Sequence, residues 1–152
     1  MLCDLLRLSF GDNGVSAYGG PYRLKLFDET AERYLPKAHR RGQFNALSGK
    51  SMVEPDFTAP RNPRDLAALF HLAEPPGGGW QEISVRRLSG AELARTLIAS
   101  TMNHRYESPE RLARQLKFAA RVARALPVYA LGYPRRFDVM DEVLAHLRRA
   151  VA

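Results

Sequence analysis

Cysteine, lysine and long apolar runs are scarce in this chain, and each shortage excludes something. Cys3 is the single cysteine, so no intramolecular disulfide can form and a cysteine-rich zinc site is ruled out. Cys3 itself reads as a small buried apolar residue. No apolar run approaches the ~20 residues that a membrane-spanning helix needs. The opening MLCDLLRLSF sets Asp4 and Arg7 inside its apolar stretch, which a secretory signal would not do. A reducing cytoplasm is the default compartment on these grounds. Lysine supplies 4 of the 23 basic residues and arginine the other 19.

What is present describes an ordinary folded chain. It has 152 residues, 45% hydrophobic and 26% charged, with a net charge of +7. That is about one domain's worth of sequence, enough to bury a sizeable core. The composition excludes a disordered or fibrous chain. The first apolar stretch begins with almost no lead-in, which suggests a chain that starts partway into a larger fold.

Residues 4–10 read as a short strand, and Asn13-Gly14 as a hairpin turn into a return strand over 15–18. Tyr22–Phe27 alternates apolar and basic residues with period two, the pattern of a half-buried strand. Asp28 or Thr30 can cap a short helix that Pro36 stops. Residues 36–64 carry Pro36, Pro55, Pro60 and Pro63 and read as an irregular, mobile loop region with one short strand near 51–54. Residues 65–74 suit a helix or a buried strand equally. A strand over 83–88 follows. Ser89 then suits an N-cap, with Glu92 at the capping-box position, for a helix to about 102.

Ser108, Pro109 and Glu110 open the next helix, expected to run to about Ala125. On it Leu112, Leu116, Ala119, Ala120, Ala123 and Leu126 share one face, while Arg111, Arg114, Lys117, Arg121 and Arg124 share another. A strand over 128–131 and a helix over 137–151 complete the chain. The expected class is α/β: a mixed sheet with an N-terminal hairpin and meander, flanking helices and a helical C-terminal half, in one incomplete domain over 1–152.

Ser48-Gly49-Lys50-Ser51 resembles the end of a phosphate-binding loop, G-x-x-x-x-G-K-[ST]. The first glycine of that pattern would fall at Phe44, and prolines follow where a helix should start. The loop reading fails, although Lys50 could meet a phosphate as a single cation. His39, His71, His104 and His146 show no metal-ligand spacing. His71 reads as a core histidine and His146 as solvated. His104 is the best placed to contact a ligand, against the plainer reading of a helix–helix connection. The arginine stripe over 111–124 reads as a solvated face, because no aromatic residues interleave it as a nucleic-acid platform would require.

Two stretches carry a family resemblance. Leu2-Cys3-Asp4-Leu5-Leu6-Arg7-Leu8, followed by a turn and Gly20-Pro21-Tyr22-Arg23-Leu24-Lys25-Leu26-Phe27, resembles the region just after the phosphate loop of HPr kinase/phosphorylase-like proteins. Leu69-Phe70-His71-Leu72, Val85-Arg86-Arg87-Leu88 and Leu126-Pro127-Val128-Tyr129-Ala130-Leu131 resemble that family's C-terminal half. The resemblance implies a strand over 66–72. It implies an ATP-dependent protein or peptide serine kinase, with ATP and Mg²⁺ as cofactors and a protein or peptide as substrate or partner. It assigns Asp4 to the catalytic acid beside Mg²⁺, and leaves Arg23, Lys50, His104 and Arg105 as phosphate or substrate contacts. The departures are that no glycine-rich loop precedes this region and that Asp4 stands without a second acid. The resemblance therefore implies a fragment or degenerate kinase, inactive by itself. The alternative is a non-catalytic peptide- or partner-binding module on the same fold. Nucleic acid and membrane are not expected partners, and oligomerisation stays open.

Overall fold

The computed structural model describes residues 6–12, 14–18, 24–55, 62–75, 77–101 and 108–152. The elements in chain order are β1 (Arg7–Gly11), β2 (Gly14–Tyr18), β3 (Leu24–Phe27), α1 (Asp28–Tyr34), β4 (His39–Gln43), β5 (Lys50–Glu54), β6 (Arg64–Asp65), β7 (Leu69–Leu72), β8 (Ser84–Arg87), α2 (Gly90–Ala99), α3 (Pro109–Ala125), β9 (Val128–Gly132) and α4 (Met140–Val151). The chain is α/β. Its strands form three small sheets, of order β1-β2-β6, β3-β5-β4 and β7-β9-β8, in place of one mixed sheet. Among the described residues no helix is long and apolar enough to cross a membrane.

The chain divides into two compact units, Met1–Ser9 with Ala17–Arg64 and Phe10–Ser16 with Asp65–Ala152. In the first unit, β5 is the middle strand between β3 and β4, antiparallel to both. Leu24 and Leu26 are half-buried while Lys25 and Phe27 are exposed, so the period-two pattern turns its leucines inward. Leu24 pairs with Val53, which is completely buried. The expected caps of α1 do not form. Phe27 is its N-cap residue, with no side-chain cap bond, and Asp28 instead accepts a hydrogen bond from Ser51 Oγ at 2.7 Å. The 36–64 stretch is also more regular than its prolines suggest, since it contains β4 as well as β5.

In the second unit, β9 is the middle strand. It runs parallel to β7 and antiparallel to β8. The ambiguous 65–74 stretch thus resolves into a strand over its apolar centre. His71, expected in the core, is exposed there, because it is the outward residue of β7. Its Nδ1 lies 3.5 Å from Ser100 Oγ. Phe70 and Tyr129 are register partners and stack with centroids 5.1 Å apart. Leu131, Val139 and Val143 form a buried cluster joined by Phe70, Leu72, Ile83, Val85, Tyr133 and Leu147.

Helix α3 has the expected bounds and cap. Ser108 Oγ accepts from Arg111 N at 3.2 Å, and Pro109 is in the first turn. Its buried face is the expected one only at Ala119 and Leu126, which are buried. Gln115, Ala119 and Val122 are buried, whereas Leu112 and Leu116 are 49% and 48% exposed and Ala120 and Ala123 are exposed. Two contacts set this rotation. Phe118 meets Phe10 edge-on with centroids 5.9 Å apart, and Gln115 Nε2 donates to Thr101 Oγ1 at 2.7 Å. The second bond removes the penalty of burying an amide.

Helix α2 ends at Ala99, short of the expected 102, and the capping box at its start does not form. Ser89 is the N-cap in extended conformation, with no side-chain bond. Glu92 turns to Arg86, whose two terminal nitrogens donate to its two carboxylate oxygens at 2.8 and 2.5 Å. A bidentate arginine outcompetes one backbone N–H for the carboxylate. The same hydrogen bonding, with the arginine charge behind it, lowers the Glu92 pKa and raises that of Arg86.

Two outcomes follow. Val122→Ala is expected to cost about 2–3 kcal/mol, more than Leu116→Ala despite the larger leucine, as read by urea unfolding of both variants. A Leu116→Ala that costs more would restore the face expected from the sequence. For Glu92, the folded pKa is depressed, so the pair's stabilisation is fully present above the unfolded carboxylate value of about 4.3. It is lost as pH falls through the lower folded value. Glu92→Gln should therefore lower the urea midpoint at neutral pH, and the gap from the parent chain should close in acid.

Candidate functional site

Of the five residues that the family resemblance puts at a site (Asp4, Arg23, Lys50, His104 and Arg105), Lys50 is the one whose position is described. Asp4, Arg23, His104 and Arg105 lie outside the described residues. Lys50 opens β5 opposite Phe27, and its Nζ sits 5.2 Å from the Phe27 ring centroid. The turn before it is not a phosphate cradle. Asn45 Oδ1 accepts from Leu47 N at 3.0 Å and from Ser48 N at 2.7 Å, so these backbone donors are already satisfied. A strand, not a helix, follows Lys50, which removes the helix N-terminus that such a loop uses. This turn thus does not fit the phosphates of ATP. Among the described residues no group of three or more His, Cys, Asp or Glu could hold a metal ion.

The second unit does carry a built concavity. Strands β7 and β9 are parallel, with Leu72 level with Leu131, and Ser84 at the start of β8 is level with Gly132. Three segments therefore meet at one end of this sheet: the exit of β7, the exit of β9 and the entry to β8. Open α/β sheets bind ligands at the carboxyl ends of their parallel strands, because loops diverge there. A cavity of about 330 Å³ lies at this end, lined by Pro75, Gly79, Trp80, Gln81, Pro134, Arg135 and Arg136. A second of about 380 Å³ shares Gln81, Pro134 and Arg136, and adds Glu82, Ile83, Val139, Glu142 and His146.

Trp80 anchors this wall. Its indole Nε1 donates to Ala73 O at 3.4 Å. Its ring lies directly on Gly132, where an added Cβ would come within 2.3–2.5 Å of three indole atoms. Glycine is required there by close approach and not by backbone conformation. The facing wall is cationic. The Arg135 guanidinium lies 4.8 Å from the Tyr133 ring centroid and donates to Tyr133 Oη at 3.2 Å. Arg136 pairs with Asp138 at 3.4 Å, both well exposed. At the far end His146 Nε2 lies 3.8 Å from Glu142 Oε1 on α4. His146 is half-buried there, not simply solvated, because this wall covers one side of it.

Sequence reasoning missed this groove. The available signal was positional: a tryptophan just after Gly77-Gly78-Gly79, and an arginine pair just after the Gly132-Tyr133-Pro134 turn that ends the last strand. No family model, curated protein or solved structure matches the chain.

Gly132→Ala tests the seat of Trp80. The new methyl forces the indole aside, and overpacking of this kind costs about 1–3 kcal/mol. The urea midpoint should fall and the tryptophan emission should shift toward that of exposed indole. An unchanged emission maximum would show that Trp80 does not rest on Gly132.

Proposed function

We propose that this chain is the portion of an HPr kinase-like phosphotransferase that follows the phosphate loop, or a degenerate member of that class, without kinase activity of its own. The observation that carries the reading is the pairing of β7 with β9. Two of the three C-terminal stretches that resemble the family contribute Leu69–Leu72 and Val128–Leu131, which are register partners in a parallel pair, with β8, α2 and α3 between them in sequence. A parallel pair joined through helices is the unit from which α/β phosphotransferase folds are assembled. In this reading Asp4 is the acid that orients a hydroxyl nucleophile or holds Mg²⁺, and Arg23, Lys50, His104 and Arg105 supply polar and cationic contacts. Phosphoryl transfer needs the acid and the cations, and it also needs a cradle for the β- and γ-phosphates. The 152 residues contain no G-x-x-x-x-G-K-[ST] stretch, which is why the chain by itself is read as inactive. The substrate would be a serine or other hydroxyl on a protein or peptide.

Calorimetric titration with Mg-ATP should give no saturable binding by the chain in the micromolar range, and sub-micromolar affinity would overturn the inactive reading. Fusing a strand–phosphate-loop–helix unit from an HPr kinase-like protein ahead of residue 1 should restore radiolabelled phosphate transfer to a serine peptide. Asp4→Asn should then lower the rate by roughly 10²-fold or more, the usual cost of losing a general base. A folded fusion with no transfer would count against the kinase reading.

A further inference from the structure

We propose that the groove at the carboxyl ends of β7 and β9 binds an extended peptide segment whose acidic residue sits at the Trp80–Arg135–Arg136 end. Shape is the first argument. The two cavities share Gln81, Pro134 and Arg136, so they adjoin along the 80–83 segment and together make an elongated surface, not a single compact pocket. An extended chain fills such a shape, whereas a small anion would occupy one end of it.

Charge is the second argument, because the groove is polarised. Arg135 lines one end, Arg136 lines the part the two cavities share, and Glu82, Glu142 and His146 line the other end. Guanidinium groups present paired donors that match a carboxylate. The acidic end favours a basic residue further along the bound segment and disfavours a second acid. Trp80 and Pro75 at the Arg135 end, and Pro134 in the shared part, offer flat, stiff apolar surfaces, which take an aliphatic side chain with little loss of rotamer freedom. The wall is also held in place before any ligand arrives. Trp80 is seated on Gly132 and tied to Ala73 O, and Gln81 Nε2 donates to Gly78 O at 3.0 Å. A preformed wall lowers the ordering cost of binding. No residue of the groove belongs to the kinase-like set, so the inference stands independently of that reading.

Trp80 is the single tryptophan of the chain, so its fluorescence reports on this groove directly. The full chain would be titrated with acetyl-Glu-Leu-Ala-Leu-Lys-amide and with the reversed acetyl-Lys-Leu-Ala-Leu-Glu-amide. The first peptide should give a saturable change in emission with a sub-millimolar dissociation constant, and the reversed peptide should bind at least about fivefold more weakly. The double variant Arg135→Ala, Arg136→Ala should weaken the first peptide by about tenfold or more while keeping the urea midpoint of the parent chain. The single variant Arg136→Gln should give a smaller loss in the same direction if the double variant does not fold. Acetate, inorganic phosphate and Mg-ATP should leave the emission unchanged at the same concentrations. No saturation by about 5 mM peptide, an affinity too weak to matter for a specific site, would overturn the proposal. So would equal affinity for the two peptide orders, unchanged affinity in the arginine variants, or an equal response to phosphate or Mg-ATP.

Discussion

The position of β9 as the middle strand of its sheet constrains everything else in the second unit. Val128, Leu131 and Gly132 are all buried, and the strand is hydrogen-bonded on both edges. A strand with no free edge can shift neither register nor face without breaking two ladders at once. Its start is fixed by Leu126 and Pro127 at the end of α3, where Leu69 N donates to Pro127 O at 3.0 Å and Leu88 N to Val128 O at 2.8 Å. Its end is fixed by the absence of a side chain at Gly132, which admits the Trp80 ring. The same strand thereby positions the helix behind it and the groove in front of it.

Helix α3 shows where sequence patterning reaches its limit. Its bounds were legible because they rest on local chemistry: a serine cap, a proline in the first turn, and Pro127 just beyond the end. Its buried face was not, because two nearly adjacent stripes were both plausible. One carries Leu112 and Leu116, and the other carries Gln115, Phe118 and Val122. Counting apolar residues favours the first. The second wins through partners that are distant in sequence: Phe10 for Phe118, and Thr101 for Gln115. The capping box at Ser89 failed for a related reason. The motif is local, but Glu92 has a stronger partner six residues upstream in Arg86. The Trp80 groove was illegible for the same reason, since its three walls meet only through the pairing of β7, β8 and β9.

The arginine excess also has a structural account. Among the described residues, Arg40 reaches Asp28 and Glu32, Arg41 reaches Glu54, Arg86 reaches Glu92 and Arg136 reaches Asp138. Arg7, Arg121 and Arg135 lie over the rings of Tyr18, Phe10 and Tyr133, and Lys25 and Lys50 over Phe44 and Phe27. Exposed contacts of either type each contribute little, but they spread the positive charge over many small local arrangements.

The two functional readings draw on different chemistry, and the structure separates them by what each group is already doing. The donors around Ser48-Gly49-Lys50 are committed to holding a turn: Leu47 N and Ser48 N to Asn45, and Lys50 Nζ to the face of Phe27. A phosphate arriving there would have to displace those bonds before forming its own, and each displaced backbone bond cancels most of what it gives. In the Trp80 groove the balance runs the other way. The internal bonds of Trp80 and Gln81 go to Ala73 O and Gly78 O, which builds the wall without consuming the guanidinium groups. Among the described residues Arg136 makes an exposed pair with Asp138, a contact cheap to exchange for a carboxylate better placed for two hydrogen bonds. Recognition at the groove therefore requires little to be undone, whereas phosphate chemistry requires a cradle that must come from residues other than those of the 45–51 turn.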